Sequence, residues 1–305
     1  MTLCKNIENK FLEMEKINLF YIPLKYMIYK LIISVIICIL ILLKYCCKNN
    51  KIKFSLMAIF KNEEQYLEEW LKYHISQGIE HFYLYCNDPN IEKYDYLYKY
   101  EKYITLIEWT DKKNISITKT IQKEAYKNCI QTFYNDYDYI MMLDIDEFLV
   151  NKNGIVIDYL NSLDKNKTKA LKIPRFNFGS NGHVKKPEGN VMDNYKTCEN
   201  ICSSYKTIAN INFVVKKLDF FGVHDFNLNK KNGKIYNNYF VYDFSKKEPI
   251  KCNINTVNET PLIINHYFTK SYDEYLKRCS MWKDGGVNNI HFRNNCEENF
   301  KKYDY

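Results

Sequence analysis

Between Phe54 and Leu143 short apolar runs alternate with stretches of helical spacing, and this alternation constrains the fold more than any other feature of the chain. "FSLMAIF" (Phe54 to Phe60) is a continuous apolar run of the kind shown by a parallel strand covered on both faces. The following "EEQYLEEWLKYHISQG" places Tyr66, Leu67, Trp70, Leu71, His74 and Ile75 at helical spacing, with Gly78 as a C-terminal stop. "HFYLYCN" and "YITLIEW" read as the second and third strands, separated by a tyrosine-rich helical stretch from Glu92. Thr118 to Phe133 reads as another helix and Tyr139 to Leu143 as the fourth strand. Strand and helix in this order make an α/β, doubly wound half-domain.

The fourth strand runs straight into charge. "IMMLDIDEFLV" (Ile140 to Val150) sets apolar residues against Asp144, Asp146 and Glu147. Ligands of open α/β sheets bind beyond the carboxyl ends of the strands, so these carboxylates are expected beside Lys61, Asn62 and Glu63, which leave the first strand. Asp144 and Asp146, two apart on an extended chain, point the same way. Such a pair suits a hard divalent cation that takes oxygen ligands and keeps positions open for phosphate. A solvated loop with a helix-capping Asp carries the same residues, so the motif needs its context.

The N-terminus carries a second signal. From Leu31 to Leu43, "LIISVIICILILL" holds no charge and is bounded by Lys30 and Lys44. Lysines near helix ends can snorkel, and no small-x-small cleavage site follows, so residues 26–47 are expected to form a transmembrane anchor; a buried core helix is the alternative. The expected layout is an N-terminal tail over 1–25, the anchor over 26–47, a linker over 48–53 and one large domain over 54–305. That layout makes a single-pass membrane protein. Lysines on the two sides of the run nearly balance, which leaves the orientation open.

A net charge of +8 raises the question of nucleic acid, but the lysines are spread along the chain beside Asp and Glu. No basic run alternates with aromatics, so nucleic acid is excluded in favour of an anionic small ligand or a membrane surface. Of the 11 cysteines none forms a CxxC pair, and Cys198 and Cys202 are the only close pair beyond the anchor. Zinc is excluded there, since no second ligand pair sits at finger spacing. Sequons at Asn114, Asn166 and Asn258 matter only in a secretory lumen.

Five ordered blocks, "MAIFKNEEQYLEEWLKYHISQGIEHFYLY", "YIMMLDIDEFL", "RFNFGSNGH", "YKTIANINFVVKKLDFFGVH" and "INHYFTKSYDEYLKR", resemble glycosyltransferase family 92 and its family-2-like relatives. The resemblance implies a GT-A fold, a Rossmann-like mixed sheet flanked by helices, from about Phe54 onward. It also implies sugar transfer from a nucleotide-sugar donor to a glycan or glycoconjugate acceptor, with inversion and with Mn²⁺ or Mg²⁺ bridging the donor diphosphate and the Asp-x-Asp carboxylates. For a secretory enzyme of this kind the expected placement is type II, in the ER or Golgi.

Residue by residue, the resemblance implies metal ligation by Asp144 and Asp146, with His266 of "INHYF" as a further metal ligand; a structural histidine is the alternative there. Asn62, Glu63, Asn87, Asp88, Arg175, His183, Lys206 and His224 fall in blocks expected to line the donor, alongside Asp144. The base that takes the acceptor proton is Glu147, Asp219 or Asp225, and sequence does not choose among them. A haloacid-dehalogenase-type phosphatase shares the strand that ends in Asp-x-Asp. It wants Thr or Val where this chain has Phe148, and it wants that strand near the start of its domain. A non-catalytic, membrane-anchored sugar-binding relative is the remaining alternative.

Overall fold

In this computed structural model the residues described are 25–40, 51–110, 119–199, 202, 204–215, 224–237, 240–243, 248–251, 261–284 and 295–304. The chain divides into two compact units, Met1–Lys51 and Ile52–Tyr305. In the first, residues 25–40 form helix α1, with large apolar side chains exposed from Tyr26 to Leu40. Among the described residues no helix is long and apolar enough to cross a membrane. The anchor expected over 26–47 is therefore not supported as a spanning helix, and its last residues, 41–47, lie outside the described ones.

The second unit opens with the expected alternation: β1 (Phe54–Phe60), α2 (Leu67–Ser76), β2 (His81–Cys86), a 3₁₀ stretch (Ile91–Tyr100), β3 (Ile104–Glu108), α3 (Lys119–Phe133) and β4 (Tyr139–Met142). It continues with β5 (Glu147–Asn151), α4 (Val156–Asn161), β6 (Thr168–Asn177), α5 (Val191–Asn194), β7 (Ser204–Asn210) and β8 (Lys234–Asn237). A two-stranded sheet of β9 (Phe240–Asp243) and β10 (Glu248–Lys251) follows, then β11 (Leu262–His266), α6 (Tyr272–Asp284) and α7 (Cys296–Tyr303).

The main sheet runs β3-β2-β1-β4-β7-β6-β11-β5, with β8 beside the first half of β6. Its first four strands are parallel, as the alternation predicts. Beyond them the sheet is mixed: β7 runs antiparallel to both β4 and β6, β11 is parallel to β6, and β5 is antiparallel to β11. Side chains of β1 alternate between two cores because successive residues of a strand point to opposite faces. Phe54, Leu56, Ala58 and Phe60 pack with Leu67, Trp70 and Leu71 of α2, whereas Met57 packs with Ala125, Tyr126 and Cys129 of α3.

α2 is pinned to β5 by polar contacts inside that apolar layer. The indole of Trp70 donates to the Glu147 carbonyl at 2.8 Å, and the buried His74 ring bonds the Trp70 carbonyl at 2.8 Å and the Leu149 amide at 3.2 Å. Since the ring must donate to the carbonyl and accept from the amide, its tautomer is fixed with the proton on Nδ1. Gly78 ends α2 at φ +81°, where a Cβ would overlap Ile157 of α4, so glycine is required both by conformation and by space. At the far end of the chain a Cys279–Cys296 disulfide joins α6 to α7, while Cys198 and Cys202, the pair that stood out by spacing, are not bonded to each other.

Candidate active site

Strand direction decides which residues meet. β4, β6 and β11 bring their carboxyl ends to one edge of the sheet, and β5 and β7, running the other way, bring their amino ends to the same edge. Register then sets Arg175 opposite Ser204, and His266 opposite both Glu147 and Asn177. The carboxylates that follow β4 therefore sit among cations contributed by β6, β7 and α6.

Lys206 is the centre of this cluster. Its ammonium, 1% exposed, lies 2.6 Å from Glu147 Oε2 and 2.8 Å from Asp144 Oδ2. Glu147 is fully buried; its Oε1 accepts from the Arg175 guanidinium at 2.9 Å and its Oε2 also accepts from the Asp144 amide at 3.0 Å. Burial alone would raise the Glu147 carboxyl, but Lys206 and Arg175 outweigh it and bring it down to about 2. For Lys206 burial pulls the other way, and the two carboxylates hold the ammonium above its ordinary value. With both oxygens engaged and no exposure, Glu147 has the geometry of a charge anchor. Nothing in its surroundings supports the base role considered for it.

Asp146 is held differently. Its Oδ2 accepts from Arg278 of α6 at 2.7 Å and lies 3.7 Å from His266 Nε2. Burial favours the neutral acid here too, but Arg278 and then His266 hold the carboxyl well below the usual carboxylate range. His266 Nδ1 sits 2.6 Å from Asn177 Oδ1, an acceptor, so Nδ1 carries a proton and the ring is turned with Nε2 toward the Asp146 carboxylate. An imidazole Nε2 and a carboxylate oxygen at that distance fit a pair of ligands on one divalent cation, and the outer amide orients the ring as it does for ligating histidines. The pair is small. Among the described residues no three His, Cys, Asp or Glu side chains gather as a ready metal site, so water or substrate oxygens would fill the remaining positions.

The other expected residues divide between this edge and elsewhere. Asn62 (φ +57°) and Glu63 line a cleft of about 310 Å³ together with Tyr66, Lys270, Lys277 and Arg278. His224, half-buried, feels the charges of Lys206, Arg175 and Glu147; burial first, and those two cations next, lower its imidazole to about 4. Asp225 accepts from Tyr205 and Thr207 at 2.9 Å each and pairs with Lys172 at 3.0 Å, its side chain about a third exposed (32%). Asp219 lies outside the described residues.

Asn87 and Asp88 turn out to organise the backbone. Asn87 ties the ends of β1 and β3 through Phe60 and Trp109, and buried Asp88 takes the Asn90 amide, Lys93 and Tyr94. His183 packs its ring on Tyr195, and its backbone carbonyl accepts from the Tyr272 amide. Sequence reasoning passed over Asn177, Lys270 and Arg278. The spacing of Glu274 and Arg278, one helical turn apart in "SYDEYLKR", was the available signal for Arg278.

Carboxylates, ammonium and guanidinium groups and an amide-oriented histidine, gathered at the strand ends of a mixed α/β sheet, define an α/β protein with a charged, polar site at that edge. The family model for glycosyltransferase family 92 matches residues 51–302, and the chain belongs to that family. No curated protein sequence matches it. Among solved structures it is similar to HddC from Yersinia pseudotuberculosis, at 10% identity and a TM-score of 0.37, over 76% of this chain and 99% of that one. It is also similar to the CTP:phosphocholine cytidylyltransferase LicC from Streptococcus pneumoniae, at 11% identity and a TM-score of 0.26, over 52% of this chain and 68% of that one.

Proposed function

We propose that this glycosyltransferase moves a sugar from a nucleotide-sugar donor to a hydroxyl of a glycan or glycoconjugate acceptor, by a single inverting displacement, with Mn²⁺ or Mg²⁺ held by Asp146 and His266. The observation that carries the metal is His266 Nε2 turned toward the Asp146 carboxylate at 3.7 Å while Asn177 holds the opposite ring nitrogen. When bound, the ion supplies positive charge for the departing diphosphate. Lys206 and Arg175 keep the Glu147 carboxylate ionised, and Lys206 ties it to Asp144, so that Asp146 between them is presented in one orientation. Asp144 takes part less directly, since Lys206 holds one of its oxygens and Gln122 approaches the other at 3.5 Å.

Of the two described base candidates Asp225 is the one with solvent access, and we assign it the acceptor proton; Lys172, Tyr205 and Thr207 hold both its oxygens, so the acceptor hydroxyl must displace one of them. We place the domain in an oxidising compartment such as the secretory lumen. The Cys279–Cys296 disulfide supports this placement, because such bonds persist where thiols are not kept reduced.

The test is turnover by the purified chain against a panel of nucleotide sugars, with Mn²⁺ titrated for wild type, Asp146→Asn and Asn177→Ala. Donor hydrolysis or transfer should require Asp146. Asn177→Ala should raise the Mn²⁺ midpoint about 10–100-fold, as loss of a partner that orients a ligating histidine does. Full activity of Asp146→Asn with an unmoved midpoint would remove the metal from this site, and release of phosphate from simple monoesters would point to a phosphatase instead.

A further inference from the structure

Of the three sequons in the chain, the one at Asn166 lies among the described residues and those at Asn114 and Asn258 lie outside them. Asn166 stands in the turn between α4 and β6 and opens the triplet Asn166, Lys167, Thr168. That turn is held from inside. The Asp164 carbonyl accepts from the Lys167 amide at 3.0 Å and from the Thr168 amide at 2.8 Å. Asn210 donates its side-chain amide to the Lys165 carbonyl at 2.7 Å and to the Thr168 carbonyl at 2.9 Å, and the Lys234 amide donates to the Lys167 carbonyl at 2.6 Å. Asn166 itself is exposed. Its backbone N–H donates to Asp164 Oδ1 at 3.0 Å, and its side-chain amide makes no hydrogen bond to the described residues, so a group attached to that amide breaks no contact of the fold.

β6 separates Asn166 from the active site. Its 10 residues span about 30 Å, and Arg175 and Asn177 stand at its far end, so a bulky group on Asn166 leaves that edge clear. Thr168, whose hydroxyl an Asn-x-Thr acceptor needs, is 2% exposed in the folded chain. The folded turn therefore hides half of its own recognition signal. The residues that close the turn are made late, since Asn210 follows Thr168 by 42 positions and Lys234 comes later still. At a synthesis rate of roughly 5–20 residues per second the sequon stays open for about 2–8 s before Asn210 exists to close it. The Cys279–Cys296 disulfide, remote in sequence from this turn, is an independent mark of the compartment in which such sequons are read.

We infer that Asn166 carries an N-linked glycan, attached during synthesis before β7 closes over β6. The inference rests on the secretory placement proposed above and is independent of the transferase reading. The donor is an oligosaccharide carried on a polyprenyl diphosphate in the secretory membrane. The side-chain nitrogen of Asn166 forms a bond to the anomeric carbon as the bond from that carbon to the diphosphate oxygen breaks. The polyprenyl diphosphate leaves with the electron pair, and the amide nitrogen gives up one proton.

The experiment expresses the full chain and its Asn166→Gln variant in cultured eukaryotic cells and compares each before and after peptide N-glycosidase, reading the peptide that contains residue 166 by mass. Wild type should carry a glycan there, and enzymatic release should leave the Asn166→Asp conversion in heavy-oxygen water. Asn166→Gln should lose one glycan and keep the melting temperature and the disulfide. Sealed microsomes report the placement separately, as protection of the domain from added protease. A protected chain with Asn166 unmodified would overturn the inference and leave the placement standing. For an unprotected chain, the full chain behind a cleavable secretory leader decides: modification there supports the acceptor and the placement alone falls, whereas an unmodified Asn166 overturns the inference. Timing has its own test. Microsomal membranes should modify a short peptide spanning the sequon and leave the purified, folded, unmodified chain untouched, and equal modification of the two would overturn attachment before folding.

Discussion

Replacing Lys206 by methionine keeps the stem of a side chain that is buried almost completely and removes the ammonium between Asp144 and Glu147. Truncating one member of a buried charge pair generally costs about 3–5 kcal/mol, mostly because the partner is left uncompensated. Here the lower end applies. Glu147 keeps Arg175 at 2.9 Å, and the Asp144 side chain is 34% exposed, so water takes up part of its charge. A loss of about 3 kcal/mol lowers the melting temperature of a domain of this size by roughly 6–12 °C. The assay is urea unfolding of the full chain at neutral pH and low salt, since urea leaves ion pairs unscreened where guanidinium does not. Glu147→Gln in the same chain should return part of the loss, giving a coupling of about 1–3 kcal/mol in the double-mutant cycle. A Lys206→Met variant within about 0.5 kcal/mol of wild type, or two strictly additive substitutions, would refute the buried charge centre.

Two further outcomes follow from the packing around α2. The buried His74 is depressed from about 6.5 to about 3, by burial, with the Trp70 carbonyl opposing. Between those values the unfolded chain binds a proton that the folded chain refuses, so this contribution is complete above pH 6.5, declines as pH falls and levels off below about 3. Lowering the pH from 7 to 5 should therefore cost about 2 kcal/mol through this group, read as the difference in urea midpoint between wild type and His74→Gln; parallel pH profiles would refute it. Gly78→Ala should destabilise by about 2–4 kcal/mol, because alanine is strained at φ +81° and its methyl overlaps Ile157. A neutral result in the same urea assay would mean that α4 yields more readily than its contact with Gly78 implies.

The first four strands and the helices between them were legible because each is a local pattern with local punctuation: an apolar run, a helical period, a glycine stop. Past Glu147 the sheet becomes mixed, and no local pattern distinguishes an antiparallel return such as β7 from another parallel strand. The carboxylates at the end of β4 were legible as a site, but their partners were not. Lys206 is 62 residues from Asp144 and Arg278 is 132 from Asp146, so these pairs exist only once strand direction and register are set. Asn177 was invisible for the same reason, since its role depends on lying opposite His266 across β6 and β11. The anchor read from the N-terminal apolar run finds no support among the described residues, where no helix is long and apolar enough to cross a membrane.

The missing partners change what the acidic segment means. Read from sequence, Asp144, Asp146 and Glu147 are surplus negative charge that calls for a metal; in the fold each already faces a protein cation, Asp144 and Glu147 through Lys206 and Arg175 and Asp146 through Arg278. A divalent ion added to such a balanced edge brings surplus positive charge of its own, and charge buried without a partner is unfavourable. An ion and an anionic ligand would therefore favour each other's binding at such an edge, and by linkage the coupling would be equal in both directions. Arg278 holds Asp146 Oδ2 at 2.7 Å, so an ion bound by Asp146 and His266 would have to share that carboxylate with the guanidinium or displace it. Among the described cleft residues Arg278 is the cation that also holds a carboxylate of the proposed metal pair, and a charge change at one would be felt at the other.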